Sequence, residues 1–116
     1  MSGRHCAVDL THLDRYTGGD EVLNAEILGL FDSQTSELVD RLQAVLDAHD
    51  TKSWKEITHT LKGAARGVGA FAFADAAAAA EPIDPARDRG KASIAVAMLK
   101  TTAPEVQAFL KTYLER

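Results

Sequence analysis

The 116 residues fall within the size of one domain and suffice for a continuous core without disulfides or a structural metal. With 46% hydrophobic and 26% charged residues and few aromatics, the composition is that of a soluble, helix-leaning chain rather than a disordered or membrane-embedded one. A formal net charge of -4 disfavours nucleic acid and anionic membranes as partners, the single Cys6 has no intramolecular disulfide partner, and no apolar run is long enough to span a bilayer.

No stretch alternates apolar and polar residues with period two, so the whole chain is expected to be helix and connection. A short leading helix is predicted over residues 9–16, with Leu10 and Leu13 on one side and Gly18 and Gly19 ending it. A long helix over residues 20–49 follows, its apolar stripe made of Leu23, Ile27, Leu30, Phe31, Leu38, Leu42, Val45 and Leu46. Asp50, Thr51 or Ser53 can cap the third helix, and Ser53 with Glu56 has the spacing of a capping box. That helix runs to Val68, where Gly69 and Ala70 predict a turn or tight crossing. The fourth, over residues 71–81, is rich in alanine and should bury Phe71 and Phe73. Pro82 and Pro85 bracket a break, because proline lacks the donor that a helix interior needs.

The last helix is expected to start between residues 84 and 93 and to bury Ile94, Met98, Leu99, Val106, Phe109, Leu110 and Tyr113, with a kink at Pro104. Short connections make successive helices antiparallel. The expected fold is therefore all-α: an up-down antiparallel four-helix bundle with a short additional N-terminal helix, forming one domain over residues 1–116.

The chemistry concentrates on the third helix. At about 100° per residue, Trp54, Ile57, Leu61, Ala64, Ala65 and Val68 occupy one buried sector, which leaves His59 about 160° away and facing solvent. Lys62, Gly63, Arg66, Gly67 and Ala70 follow His59 on the same face or along its edges. The result is an exposed imidazole beside two cations on a stripe of very small residues. Glycine inside a helix costs about 1 kcal/mol relative to alanine, so two on one exposed face suggest that something approaches closely there. A neutral imidazole is a competent nucleophile for phosphorus, and Lys62 and Arg66 can offset charge on transferring oxygens. The residues alone also admit a solvated polar face with incidental glycines.

The run from His59 through Thr60, Leu61, Lys62, Gly63, Ala64, Ala65, Arg66, Gly67, Val68, Gly69 and Ala70 resembles the motif of histidine phosphotransfer (HPt) domains. In those domains the histidine, a lysine three on, a glycine four on and a later glycine recur. Gly18, Gly19 and Asp20 followed by Leu30 and Phe31 are similar to the start of that family's long second helix, so the resemblance covers most of the chain and weakens after Glu81.

What the resemblance implies is a four-helix phosphoryl carrier without kinase or ATPase activity. It would act in bacterial two-component phosphorelays, taking the phosphoryl group from a receiver aspartate onto the ring nitrogen remote from the backbone and passing it to a second receiver. His59 would be the phosphoacceptor, Lys62 would steady the phosphoryl oxygens, and Gly63, with Gly67 and Ala70, would leave room for the receiver. Arg66 is added on electrostatic grounds. Many members carry a glutamine on the following helix that orients the histidine, and the nearest position here is Glu81. A carboxylate there could hold the imidazole through its other N–H, but negative charge beside a phosphohistidine is a cost.

The implied partners are receiver domains of a hybrid histidine kinase and of a response regulator, met by a monomer. No cofactor of its own is expected; Mg2+ would belong to the receiver.

Other residues carry less. His5, Cys6 and His12 lack a second ligand pair at zinc-site spacing, so no metal is expected. His49 fits a helix C-terminus. Met1 to His5 lack the apolar core of a signal peptide, and a cytoplasmic location is expected. Two rival readings stand beside the carrier: a helical interaction module that is never phosphorylated, and a histidine kinase fragment, for which no ATP-binding region is present.

Overall fold

The computed structural model describes residues 7–115, which form five α-helices and no strand. They are α1 (Leu10–Thr17), α2 (Glu21–Asp47), α3 (Thr51–Val68), α4 (Phe71–Ala80) and α5 (Arg89–Leu114).

Local chemistry explains most boundaries. Asp9, Asp20, Asp50 and Asp88 cap α1, α2, α3 and α5, each carboxylate accepting a backbone N–H of the first turn. Asp50 takes the N–H of Ser53. Ser53 thus lies within the first turn of α3, and the capping box expected between Ser53 and Glu56 is replaced by the aspartate cap. Gly18 ends α1 and Gly69 ends α3, both with positive φ. The end of α2 uses the same geometry without glycine: His49 has φ 55°, its N–H donates to Leu46 O, and the Asp50 N–H donates to Val45 O. That pair of bonds is a Schellman cap, so His49 serves the helix end through its backbone. α5 is uninterrupted at Pro104.

α2 packs on α3 and α5, and α4 also packs on α3 and α5, so the four longer elements form a closed ring, with α1 lying against α2 and α3. Trp54, Phe73, Leu28, Leu42, Leu46, Leu61, Leu99 and Leu110 fill the interior, where Phe73 meets Phe31 edge to face at 6.4 Å. The alanines of α4 place Ala74, Ala77 and Ala80 in the core and let that helix lie close to its neighbours.

The apolar stripes differ in detail from the periodicity. Leu23 and Leu30 of α2, Phe71 of α4, and Ile94 and Met98 of α5 are exposed. Leu28, Val39, Val96, Ala92, Ala95 and Ala103 take the buried positions, together with the polar Asn24 and Thr35. Both long helices are contacted on two flanks, and their buried positions combine large apolar residues with small or polar ones.

Polar ties join the helix ends. Arg89 of α5 pairs with Asp47 at the end of α2 (2.9 Å), and Thr51 at the start of α3 donates to Asp84 in the linker after α4 (2.9 Å). At α1, the Asp9 N–H donates to Gly69 O (2.8 Å), while Asn24 of α2 donates to Asp14 and accepts from Thr17. A Cβ built on Gly69 would lie 2.5 Å from Asp9 O, so this glycine supplies both the left-handed turn and the contact on which α1 rests.

Candidate functional site

The site begins with the rotation of α3. Trp54, Ile57, Leu61, Ala65 and Val68 are buried, as their spacing predicts, and Thr58 joins them with its hydroxyl donating to Trp54 O (2.9 Å). This holds His59 on the opposite side, with its side chain 69% exposed.

Glu81 reaches the site from the end of α4. Its N–H donates to Ala77 O and Pro82 follows it, so it is the last residue before the chain leaves the helix. The preceding carbonyl, that of Ala80, accepts the indole N–H of Trp54 (3.0 Å), a buried bond that fixes the end of α4 against α3. From there the Glu81 carboxylate spans two partners. Oε2 lies 2.9 Å from His59 Nδ1, and Oε1 accepts from Lys62 Nζ. Glu81 and Lys62 side chains are only 19% and 21% exposed, against 69% for His59.

The hydrogen bond from Lys62, then that from His59, lower the Glu81 pKa from its ordinary 4.5, partial burial opposing. Glu81 is therefore an anion at neutral pH, and an ionised carboxylate can only accept. The Nδ1 of a neutral His59 must then carry the proton, which leaves the lone pair on Nε2, the nitrogen remote from the backbone.

Glu81 thus holds the histidine, in the place where the resemblance foresaw a glutamine. Lys62 is part of the same arrangement and is ion-paired rather than free. Gly63 and Gly67 lie on the exposed face, and a Cβ on either would meet nothing within 4 Å, so the surface there is open. Arg66 is also exposed, and its guanidinium makes no ion pair among the described residues.

Ala70 does not belong with them: it is fully buried at the N-cap of α4, its N–H donating to Ala65 O. The helical count that placed it on the face of His59 stops at Gly69, where the chain turns out of α3.

The periodicity was informative on the other side of His59 as well. Lys52, Lys55 and Glu56, at seven, four and three residues before it, line a shallow depression with His59 and Glu81. Lys55 and Lys52 are exposed cations without ion pairs among the described residues, and they precede His59 in the chain, outside the run that carries the family resemblance.

His5 and Cys6 lie outside the described residues. The His12 ring packs edge to face on Tyr16 and Phe71 at 5.4 and 5.1 Å. Among the described residues no group of His, Cys, Asp or Glu gathers at metal-binding distance, and no helix is long and apolar enough to cross a membrane.

A family model for the Hpt domain matches residues 26–115, from within α2 through α5 and including the whole of the His59 site. The chain belongs to the Hpt domain family, whose members are phosphocarrier modules of two-component signalling. Neither the curated proteins nor the solved structures offered a match.

Proposed function

We propose that the protein is a phosphorelay intermediate that accepts a phosphoryl group from a receiver aspartate onto Nε2 of His59 and passes it to another receiver. The supporting observation is the exposed imidazole whose Nδ1 faces an anionic carboxylate at 2.9 Å. In the transfer, the Nε2 lone pair forms the N–P bond as the aspartyl O–P bond breaks, and the electron pair leaves with the receiver's carboxylate. Nδ1 keeps its proton, so attack needs no base. The positive charge that develops on the ring meets the Glu81 carboxylate. Lys62 steadies the phosphoryl oxygens from beside Glu81, and the unpaired Lys55 and Arg66 add to the positive field a phosphoryl group would meet.

The four helices in the ring are read as an up-down antiparallel bundle in one domain, with α1 in front. The docking face centres on α3 at His59, Gly63 and Gly67, where low relief lets the receiver's acidic pocket and its Mg2+ come close. Contact with such a partner is transient, and the carrier acts as a cytoplasmic monomer.

Incubation with a phosphorylated receiver tests this. Base-stable, acid-labile phosphate should appear on the protein and be absent from His59→Gln, whose melting temperature stays within a degree or two of the parent because the ring lies outside the core. Normal labelling of the variant would refute the assignment, and no labelling of the parent by any receiver would favour the non-phosphorylated interaction module.

A further inference from the structure

The carboxylate at Nδ1 bears on how long a phosphoryl group stays on His59. When the N–P bond breaks, the electron pair returns to Nε2 and phosphorus is taken by water or by an acceptor carboxylate. If the ring still holds its Nδ1 proton, the leaving group is neutral imidazole. If that proton has gone, the leaving group is an imidazolate anion, which leaves far more slowly. Whatever retains the proton on Nδ1 therefore governs the lifetime of the bond.

In this chain the retaining group is a full anion, with Oε2 of Glu81 at 2.9 Å from Nδ1. A neutral amide in its place would offer only a dipole, and an opposite charge at this range favours the protonated ring much more strongly. We propose that Glu81, by holding the proton on Nδ1 of the phosphorylated ring, makes the N–P bond of His59 short-lived and its phosphoryl group readily passed on at neutral and mildly alkaline pH.

This rests on the reading of His59 as the phosphoacceptor, and it casts Glu81 as a positioning residue acting through the ring. The ion pair with Lys62 offsets part of the carboxylate's charge, which an amide would not share, yet Oε2 remains in direct contact with Nδ1. Lys62 draws on the second carboxylate oxygen, and Lys52, Lys55 and Glu56 of α3 line the same depression. Glu81 is the charged group that the end of α4 presents there, while α1 and α2 place no hydrogen-bonded or ion-paired partner on His59 among the described residues.

The test phosphorylates the full chain and Glu81→Gln with phosphoramidate, ammonia being the leaving group, and follows decay after donor removal by 31P NMR from pH 6 to 9. The variant retains an acceptor for Nδ1–H. Its phosphohistidine should last about tenfold longer at pH 8, with the alkaline fall in decay rate moved about one pH unit lower. On the parent alone, the 15N shift of phosphorylated His59 should show Nδ1 protonated to higher pH than in the same chain unfolded in urea. Equal lifetimes, or a proton lost at the same pH folded and unfolded, overturn the proposal and leave the phosphoacceptor reading intact. Absence of phosphate from His59 overturns both.

Discussion

Single residues divide sharply into those the fold requires and those it leaves open, and the glycines show it best. Gly69 combines φ 87° with a backbone oxygen of Asp9 where a Cβ would sit, whereas Gly63 and Gly67 have free space around them. Gly69→Ala is expected to cost about 3 kcal/mol, from left-handed strain and loss of the close approach to α1, measurable by urea unfolding. A cost within a few tenths would contradict this account of the turn. The exposure of His59 and the cations three and seven residues after it were legible from helical periodicity alone. The engagement of Lys62 by Glu81 was not, because it depends on where the end of α4 lies in space. The positive φ at Gly69 is also invisible to a helical wheel, which therefore puts Ala70 on the open face although the residue is buried.

At the scale of elements, the site is built by two helices and one buried bond between them. Trp54 lies on the inner face of α3 five residues before His59, and its indole holds the Ala80 carbonyl next to Glu81. Trp54→Phe keeps an aromatic ring but leaves that carbonyl without its donor, at a cost of about 2 kcal/mol. Phosphorylation of His59 should slow as well, since the carboxylate loses its anchor. Thermal unfolding and phosphoramidate labelling check the two effects separately, and a variant as stable and as reactive as the parent would remove Trp54 from the description. Helix number, order and approximate ends could be read from capping residues and breakers, because these act locally. The outward placement of Leu30, Ile94 and Met98 could not, since the buried flank of α2 and of α5 is set by two neighbours at once and the periodic signal of each helix is blurred.

Over the whole molecule, carboxylates hold the elements at their ends. Glu81 pairs with Lys62 and His59, Asp47 with Arg89, Asp84 with the Ala86 N–H and Thr51, and Asp50 caps α3; each has its pKa lowered from 4.5 for Glu81 or 3.8 for the aspartates. A carboxylate with a depressed folded value adds stability above its unfolded value and loses it as pH falls through the folded one. Melting temperature should therefore hold level from neutrality to about pH 5 and decline below about pH 4. A decline that instead began near neutrality would contradict this assignment.

The proposed carrier role requires that Nε2 of His59 be the atom that bonds to phosphorus, and 31P–15N correlation on the uniformly 15N-labelled chain after treatment with phosphoramidate reports that atom directly. Coupling of the phosphorus to Nε2 of His59, with Nδ1 still bearing hydrogen, is the predicted result. Coupling to Nδ1 of His59, or to any other histidine, would contradict it.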